Sequence, residues 1–597
     1  MNLFMKRIAL LGAIISSSTF SHGTAIKTTN EAGAPVAQAM VSVTPVSGYT
    51  LDRSDNGYPP EGILNRSNGT ASGFTDESGA VDLGVASDQL MRVRVRKPGY
   101  QDVTVESTLA ALPTLTIKME TDPKALAAAR PANTWLSALD IETDLKKHYI
   151  MQCGFCHQQG SQYLRRDRSE QEWEDTIYRM VNYGARLADD AQEELPLLLH
   201  EKYGQLNAQP ELIPEGTPWD AYLSQAKIKE WPIGDSFSQM HDLLYHSNGL
   251  VYVGDNLQDR MYEINPKTGE YKVYKLPKES WDQHGGLLGA RLKEFPKHET
   301  FAGIHSFAES PKDGHIFITA SYQQRIIEFN PETKEWTNHH MDAGYYPHTL
   351  RVDNENRVWF TLALSNQVGM FDREKKSFTL IDLPNRSFRE SVTVTMMGVL
   401  LKLMSWGLPV ANWAPVDRDS TGVPLPYGLD IAPDGTVWFA RLHADSIGKI
   451  DPETLDVKLY TTPFHGPRRL RVDADGGIWI AAFPESQVVR FDAEKEAFEF
   501  FDIPVKPLGS ETPYSLNIDK ARKIVWVNGN TSDALYAYYY ETKTWQHYPM
   551  AKRVTFTRDV EIAPDGTVFT TNSSFPSWHI EDAQPSLIQL TPVLLTQ

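Results

Sequence analysis

Cysteine is almost absent from this chain: 597 residues contain two, Cys153 and Cys156. A disulfide framework is therefore excluded as the source of stability, and a chain of this length must build several hydrophobic cores instead. A basic excess is also missing, since 58 Lys and Arg stand against 76 Asp and Glu for a formal net charge of −18. That balance offers no cationic stripe to phosphates and excludes nucleic acid as a partner. The one short basic run, Arg92, Arg94, Arg96 and Lys97, alternates with valine and reads as the solvent face of a strand. Long apolar runs are scarce as well. Residues 1–23 carry Lys6 and Arg7, then an apolar stretch from Ile8 to Ile15, then small and polar residues. This is the pattern of a secretory signal, too short for a spanning helix, and it predicts a periplasmic or secreted protein.

Export normally permits disulfides, yet both cysteines fall in one short motif, MQCGFCHQQG, with His157 completing C-x-x-C-H. In that spacing the two thiols add to haem vinyl groups and the histidine becomes the proximal iron ligand. A zinc site would need further ligands, and no other cysteine exists. Haem c is thus the expected cofactor, on Cys153, Cys156 and His157. Downstream, Ser169-x-x-Glu172 is a capping box opening a helix through Trp173, Ile177, Met180 and Val181. Met180 is the candidate sixth ligand, with His200 and Met151 as weaker options, and an ordinary core methionine as the alternative reading.

The last two-thirds of the chain repeats. Aligned on an aromatic strand residue, seven copies carry Tyr252, Phe317, Trp359, Trp438, Trp479, Trp526 and Phe569. Eleven or twelve residues earlier, each copy has one marked position: His241, His305, His348, Tyr427, Arg468, Tyr514 and Arg558. Seven strand-rich repeats predict a seven-bladed β-propeller over 226–597, with these side chains ringing one mouth of its channel. The last copy lacks an outer strand, and AKIKEWPIG at 226–234 supplies one to close the ring. The run at 391–413, with Lys402 as its only charge, lies between copies of the ring and so cannot span a membrane. It reads as a lid, as a contact to another domain or a membrane surface, or as a plain packing helix.

Three histidines from consecutive blades can hold copper, zinc or iron, or act as general acid and base with Tyr427 or Tyr514. Arg468 and Arg558 would attract a carboxylate or enolate oxygen. Ahead of the propeller, 24–120 shows strand-length alternation and turn chemistry, 121–142 reads as a linker, and 143–225 as a small helical haem domain.

These segments resemble known families. PYGLDIAPDGTVWFARLHADSIGKIDP, YYPHTLRVDNENRVWFTLALSNQVGMFD and GPRRLRVDADGGIWIAAFPESQVVRFD resemble the virginiamycin B (streptogramin B) lyase repeats. The resemblance implies catalytic roles at Pro347-His348 and Pro426-Tyr427-Gly428, and a magnesium site of acidic residues after the W-F-T strand. Here those positions are Asp255, Ala320, Leu362, Arg441, Ala482, Gly529 and Asn572, of which only the first is acidic. GAPVAQAMVSV, GFTDESGAVDL and VRKPGY resemble the carboxypeptidase regulatory-like domain, implying a transthyretin-like β-sandwich, and the C-x-x-C-H segment resembles class I-like cytochromes c. The expectation is an exported oxidoreductase. A small organic substrate is oxidised at the ring, the haem passes electrons to a redox protein or quinone, and a second metal is a candidate at the three histidines. Two other readings stay open: a lyase acting on a lactone or ester-like substrate, and a non-catalytic electron-transfer or sensor protein.

Overall fold

The computed structural model describes residues 25–46, 59–85, 88–289, 299–408, 410, 416–418 and 422–595. The signal-like segment 1–23 and part of the 391–413 run lie outside them. The fold is mainly β, with a handful of helices placed between two strand-rich parts.

Seven four-stranded sheets follow one another from Lys227 onward and form a propeller-like ring. Blades 1 to 6 begin with innermost strands Met240–Tyr245, Ile304–Glu309, Pro347–Val352, Pro426–Ile431, Pro467–Val472 and Pro513–Asp519. Each strand pairs antiparallel with the next one outward, so every blade is a meander joined by short turns. Each inner strand packs on that of the following blade, and the last packs back on the first. Blade 7 is assembled from both ends of the repeat array: Glu561–Ile562, Val568–Thr571 and Ser586–Thr591 are completed by Lys227–Pro232, antiparallel to Ser586–Thr591. This join ties the ring shut with backbone hydrogen bonds.

The N-terminal strands do not stand apart. Thr70–Phe74 adds to the outer edge of blade 7 at Lys227–Glu230, and Asn65–Arg66 adds to the outer edge of blade 1 at Glu270–Tyr271. One segment thus staples the two blades across the closure seam and covers two sheet edges. Trp231 fills the seam. A Cβ on Gly69 or Gly269 would stand 2.3 or 2.4 Å from its ring, so only glycine admits the indole there. Thr70–Phe74 continues into Met40–Pro45, Leu90–Arg96 and Val103–Thr108, and a second sheet of Ile26–Thr29, Ala80–Val81 and Leu115–Thr116 shares the core of Val41, Val43, Val93, Val95 and Ile117. The basic run sits differently from expectation. Arg92 faces solvent beside Glu106, but Arg96 is buried, bonding Glu581 and Asp102 and donating to the Ala551 carbonyl. The strand lies against the propeller, so its guanidinium groups face carboxylates and carbonyls there instead of water.

Between these parts, helices Thr143–Cys153, Glu170–Asn182 and Asp189–Ala208 form a small unit. The second opens with the reciprocal Ser169–Glu172 capping box, and Trp173, Ile177 and Val181 turn inward from it. This unit sits on the ring mouth. Gln158 of this unit donates to Asp533 at 2.8 Å, and Asn133 in the short preceding helix Ala132–Ala138 donates to the Lys506 carbonyl at 2.8 Å, both across the interface. The run after blade 3 forms two short helices, Phe388–Thr395 and Met397–Ser405, whose Met397 and Leu401 pack with Leu288 and Tyr322. Among the described residues no helix is long and apolar enough to cross a membrane.

Candidate functional site

The marked residue is the second of each inner strand in blades 1 to 6, and every one of these strands is bulged there. In blade 3, for example, Pro347 pairs with Leu362 and the next paired residue is Leu350, so His348 and Thr349 are released from the ladder. The same shift occurs at Met240/Leu243, Ile304/Phe307, Pro426/Leu429, Pro467/Leu470 and Pro513/Leu516. A bulge re-aims side chains, and here it turns two successive residues of each blade toward the axis. In blades 2 and 3 a threonine of the second strand fixes the turn. Thr361 Oγ1 accepts from Thr349 N at 3.1 Å and donates to the Tyr427 carbonyl of the next blade at 3.0 Å, while Thr319 donates likewise to the His348 carbonyl at 2.8 Å. In blade 4 the second released residue is Gly428, where a Cβ would lie 2.7 Å from Arg469 Cα.

The ring so formed has two unlike halves. His241, His305 and His348 are buried, and their ligand atoms all lie within 4.8 Å of one another. Burial drives all three imidazoles well below their ordinary pKa; Arg558 and Arg469 add to the effect at His241, and neighbouring imidazoles add to it at His305 and His348. They are therefore neutral. Opposite them, Tyr427 and Tyr514 share a hydroxyl–hydroxyl contact of 2.8 Å, Arg558 donates to the Tyr514 hydroxyl at 2.5 Å, and Arg468 donates to that of Tyr427 at 3.1 Å. Burial raises Tyr427. At Tyr514 burial acts upward too, but Arg468, Arg558 and Arg469 outweigh it and hold that phenol below its usual range.

The helical unit docks on this second half. Phe155, between the two cysteines, lies edge-on to Tyr427 at 6.2 Å, with the Arg468 guanidinium 4.3 Å from its ring centre. Arg558 donates to the Phe155 carbonyl at 2.8 Å. Arg468 is fully buried among Phe155, Phe483 and Tyr514. Arg468 is not among the residues lining the cavity described next, since Phe155 of the helical unit and Phe483 and Tyr514 of the propeller enclose its guanidinium.

One cavity of about 840 Å³ joins the two parts. Cys153, Cys156 and His157 line one side, and His241, His305, His348, Tyr427, Tyr514 and Arg558 line the other. Trp173, Ile177, Met180 and Leu199 supply an apolar wall, Leu400, Leu401 and Met404 of the helical insertion supply another, and Arg166, Arg168, Arg179 and Arg186 also reach it. His157 is pushed down to about 4 by burial and then by Arg558, while burial and then Cys156 push the Cys153 thiol up to about 12. Met180 lines this cavity. Met151 does not, having turned toward Gly466 in the propeller; His200 is exposed, with Nδ1 2.6 Å from the Arg168 carbonyl.

Residues that sequence reasoning missed lie one layer deeper. Arg469 bridges Asp242 at 2.6 Å and Asp559 at 3.0 Å, closing the channel with an ion network from blades 5, 1 and 7. Their signal was present, since each directly follows a marked residue and shares its bulge. The acidic positions implied by the lyase resemblance do not assemble a cluster. Asp255 is buried, accepts from Gln239 N at 3.0 Å and is pushed up to about 7 by burial, whereas Arg441 bonds Ser446 and the Pro384 carbonyl. Among the described residues, the three histidines are the one group placed to hold a metal ion.

No family model and no curated protein matches the chain. Among solved structures it is similar to a streptogramin B lyase, at 14% identity and a TM-score of 0.46 over 61% of this chain and 97% of that one. It is likewise similar to virginiamycin B lyase from Staphylococcus aureus, at 14% identity and a TM-score of 0.46 over 62% of this chain and 100% of that one. An extracellular domain from B. thetaiotaomicron matches at 15% identity and a TM-score of 0.41, over 62% of this chain and 43% of that one.

Proposed function

We propose that the chain is an exported haem c oxidoreductase whose reaction chamber is the space between the C-x-x-C-H unit and the ring mouth. The observation that carries this reading is the shared cavity: the only two thiols of the chain and the three ring histidines open into the same space. The donor set fits a covalent haem. Cys153 and Cys156 are free and half-buried at motif spacing, His157 beside them is neutral, the wall is apolar, and four arginines line the same space. His157 would ligate the iron, and Met180 is the thioether on the same cavity. Once bound, a haem there supplies one-electron transfer to a redox protein or quinone.

The chain's own groups prepare the substrate. Neutral His305 and His348 accept protons in a space that Phe155 and the insertion helices shield from water. Arg558 and the Tyr514 hydroxyl hold an oxygen that gains negative charge as its proton leaves. The absence of an acidic cluster at the lyase positions favours this reading over elimination on a lactone. Anaerobic addition of a panel of phenols, alcohols and hydroxy acids, followed at the haem absorption bands, tests it. Reduction in the wild type that His348→Ala lacks supports the reading. A haem that no compound reduces, or that both proteins reduce equally, overturns it.

A further inference from the structure

The three histidines differ from ordinary channel lining in how their rings are held. His241 Nδ1 lies 2.9 Å from Asp242 Oδ1 and 3.1 Å from the His305 carbonyl. His305 Nδ1 lies 3.0 Å from the Gly303 carbonyl, and His348 Nδ1 lies 3.1 Å from Thr349 Oγ1. Each ring is therefore tethered through Nδ1 to an oxygen of the protein, and His305 Nδ1 also meets Asn256 Nδ2 at 3.0 Å. Nε2 of His305 meets the Tyr346 hydroxyl at 3.0 Å, a contact that a bound metal would replace. The Nδ1 tether is the outer-shell arrangement that fixes the tautomer of metal-bound imidazole. The ring centres are 4.2, 5.1 and 6.1 Å apart, so modest side-chain rotation brings the three nitrogens to the roughly 2.0–2.1 Å bonds of a shared ion. Asp242 is itself held by Arg469 at 2.6 Å, so the orienting carboxylate is anchored as well.

We propose that His241, His305 and His348 bind one divalent first-row transition-metal ion through Nε2, with an open coordination position facing the cavity. Three neutral nitrogen donors and no carboxylate or thiolate select this class over calcium or magnesium, which require oxygen ligands. The site as built brings no negative ligand, and Arg558 stands 3.4 Å from His241 Nε2. The open position therefore takes an anionic oxygen, from hydroxide or from an ionised substrate, which the guanidinium also contacts. On metal binding the long Arg558–His241 contact is given up, while those from Arg558 to Tyr514 and to the Phe155 carbonyl remain. The inference stands on the ring alone: a bound metal would occupy the nitrogens that otherwise make His305 and His348 proton acceptors, leaving hydroxide at the open position to take the proton, and its failure leaves the haem reading with those imidazoles as bases.

The test uses the full haem-loaded chain, stripped with a chelator and titrated with Zn²⁺ as the probe. Metal retained after gel filtration is measured beside the haem absorbance. The expected result is one retained equivalent in the wild type, at least 100-fold weaker binding in His348→Ala and in His305→Asn, and unchanged haem bands in both. A wild type that retains no zinc, or variants that bind as tightly as the wild type, overturns the proposal. Because a variant can fail to fold, thermal unfolding of the wild type gives a second reading: bound zinc raises Tm by mass action, and no rise at saturating zinc overturns the site.

Discussion

The two halves of the ring occupy one position of one repeated strand, yet they have become different devices. On blades 1 to 3 the marked residue is a neutral imidazole tethered by its own neighbours and open to the cavity. On blades 4 to 7 it is a phenol or guanidinium drawn into a hydrogen-bonded, ring-stacked cluster on which Phe155 lands. The bulge makes both possible by releasing two residues per blade toward the axis. What separates them is the partner: on the second half Phe155 closes over Arg468, while Tyr427, Tyr514 and Arg558 still line the chamber beside the three histidines. An identical register therefore yields a surface that the helical unit touches on one side and three open imidazoles on the other.

The largest expected effect tests the unit that divides the halves. Cys153→Ala with Cys156→Ala removes covalent haem altogether, read as loss of the haem absorption from denatured, acid-washed protein, while the ring histidines keep their places. Next, His348→Ala lowers haem reduction by a responsive substrate at least 100-fold with little change in Tm, because it removes a group that faces the chamber. Arg468→Ala should do the reverse. It deletes a guanidinium packed on several rings and costs about 2–4 kcal/mol of unfolding free energy, measured by denaturant titration. Equal effects of the two substitutions on stability would erase the distinction between the halves.

The smallest effect concerns pH on the histidine side. Asp255 of blade 1 is pushed up to about 7 by burial from an ordinary value near 3.8. The native state thus holds its proton over a range where the unfolded chain has lost it. Its contribution favours folding at low pH and is lost as pH rises through the folded value. Stability should fall by about 1 kcal/mol between pH 6 and pH 8 from this group. In Asp255→Asn that component disappears, so the two stability–pH profiles separate between about pH 4 and about pH 7 and run parallel above it; parallel profiles across that window would show that Asp255 is ionised in the folded protein.

Much of the ring was legible because strand repeats carry their register with them. The marked positions, the capping box at Ser169–Glu172 and the closing strand near 226–234 follow from spacing and period alone, which are local properties. The deeper Arg469–Asp242–Asp559 network escaped notice because its partners are more than two hundred residues apart in one pair, and no local pattern joins them. The stapling of blades 1 and 7 by residues 65–74 was hidden for a related reason. A strand announces that it will pair, but its backbone groups are the same whatever edge receives them.

The sequence by itself determined the seven repeats, the two thiols with their histidine, and which side chains stand at the head of each inner strand. Only the tertiary structure decided which of those side chains face a shared space. Arg468 and Arg558 looked equivalent in the repeat, but Phe155 closes over the first, while the second reaches the cavity and bonds the Phe155 carbonyl. Repeat period fixes position within a blade. Whether that position meets water, a ligand or another part of the chain depends on contacts made across long sequence separations, and these exist only once the chain has closed on itself.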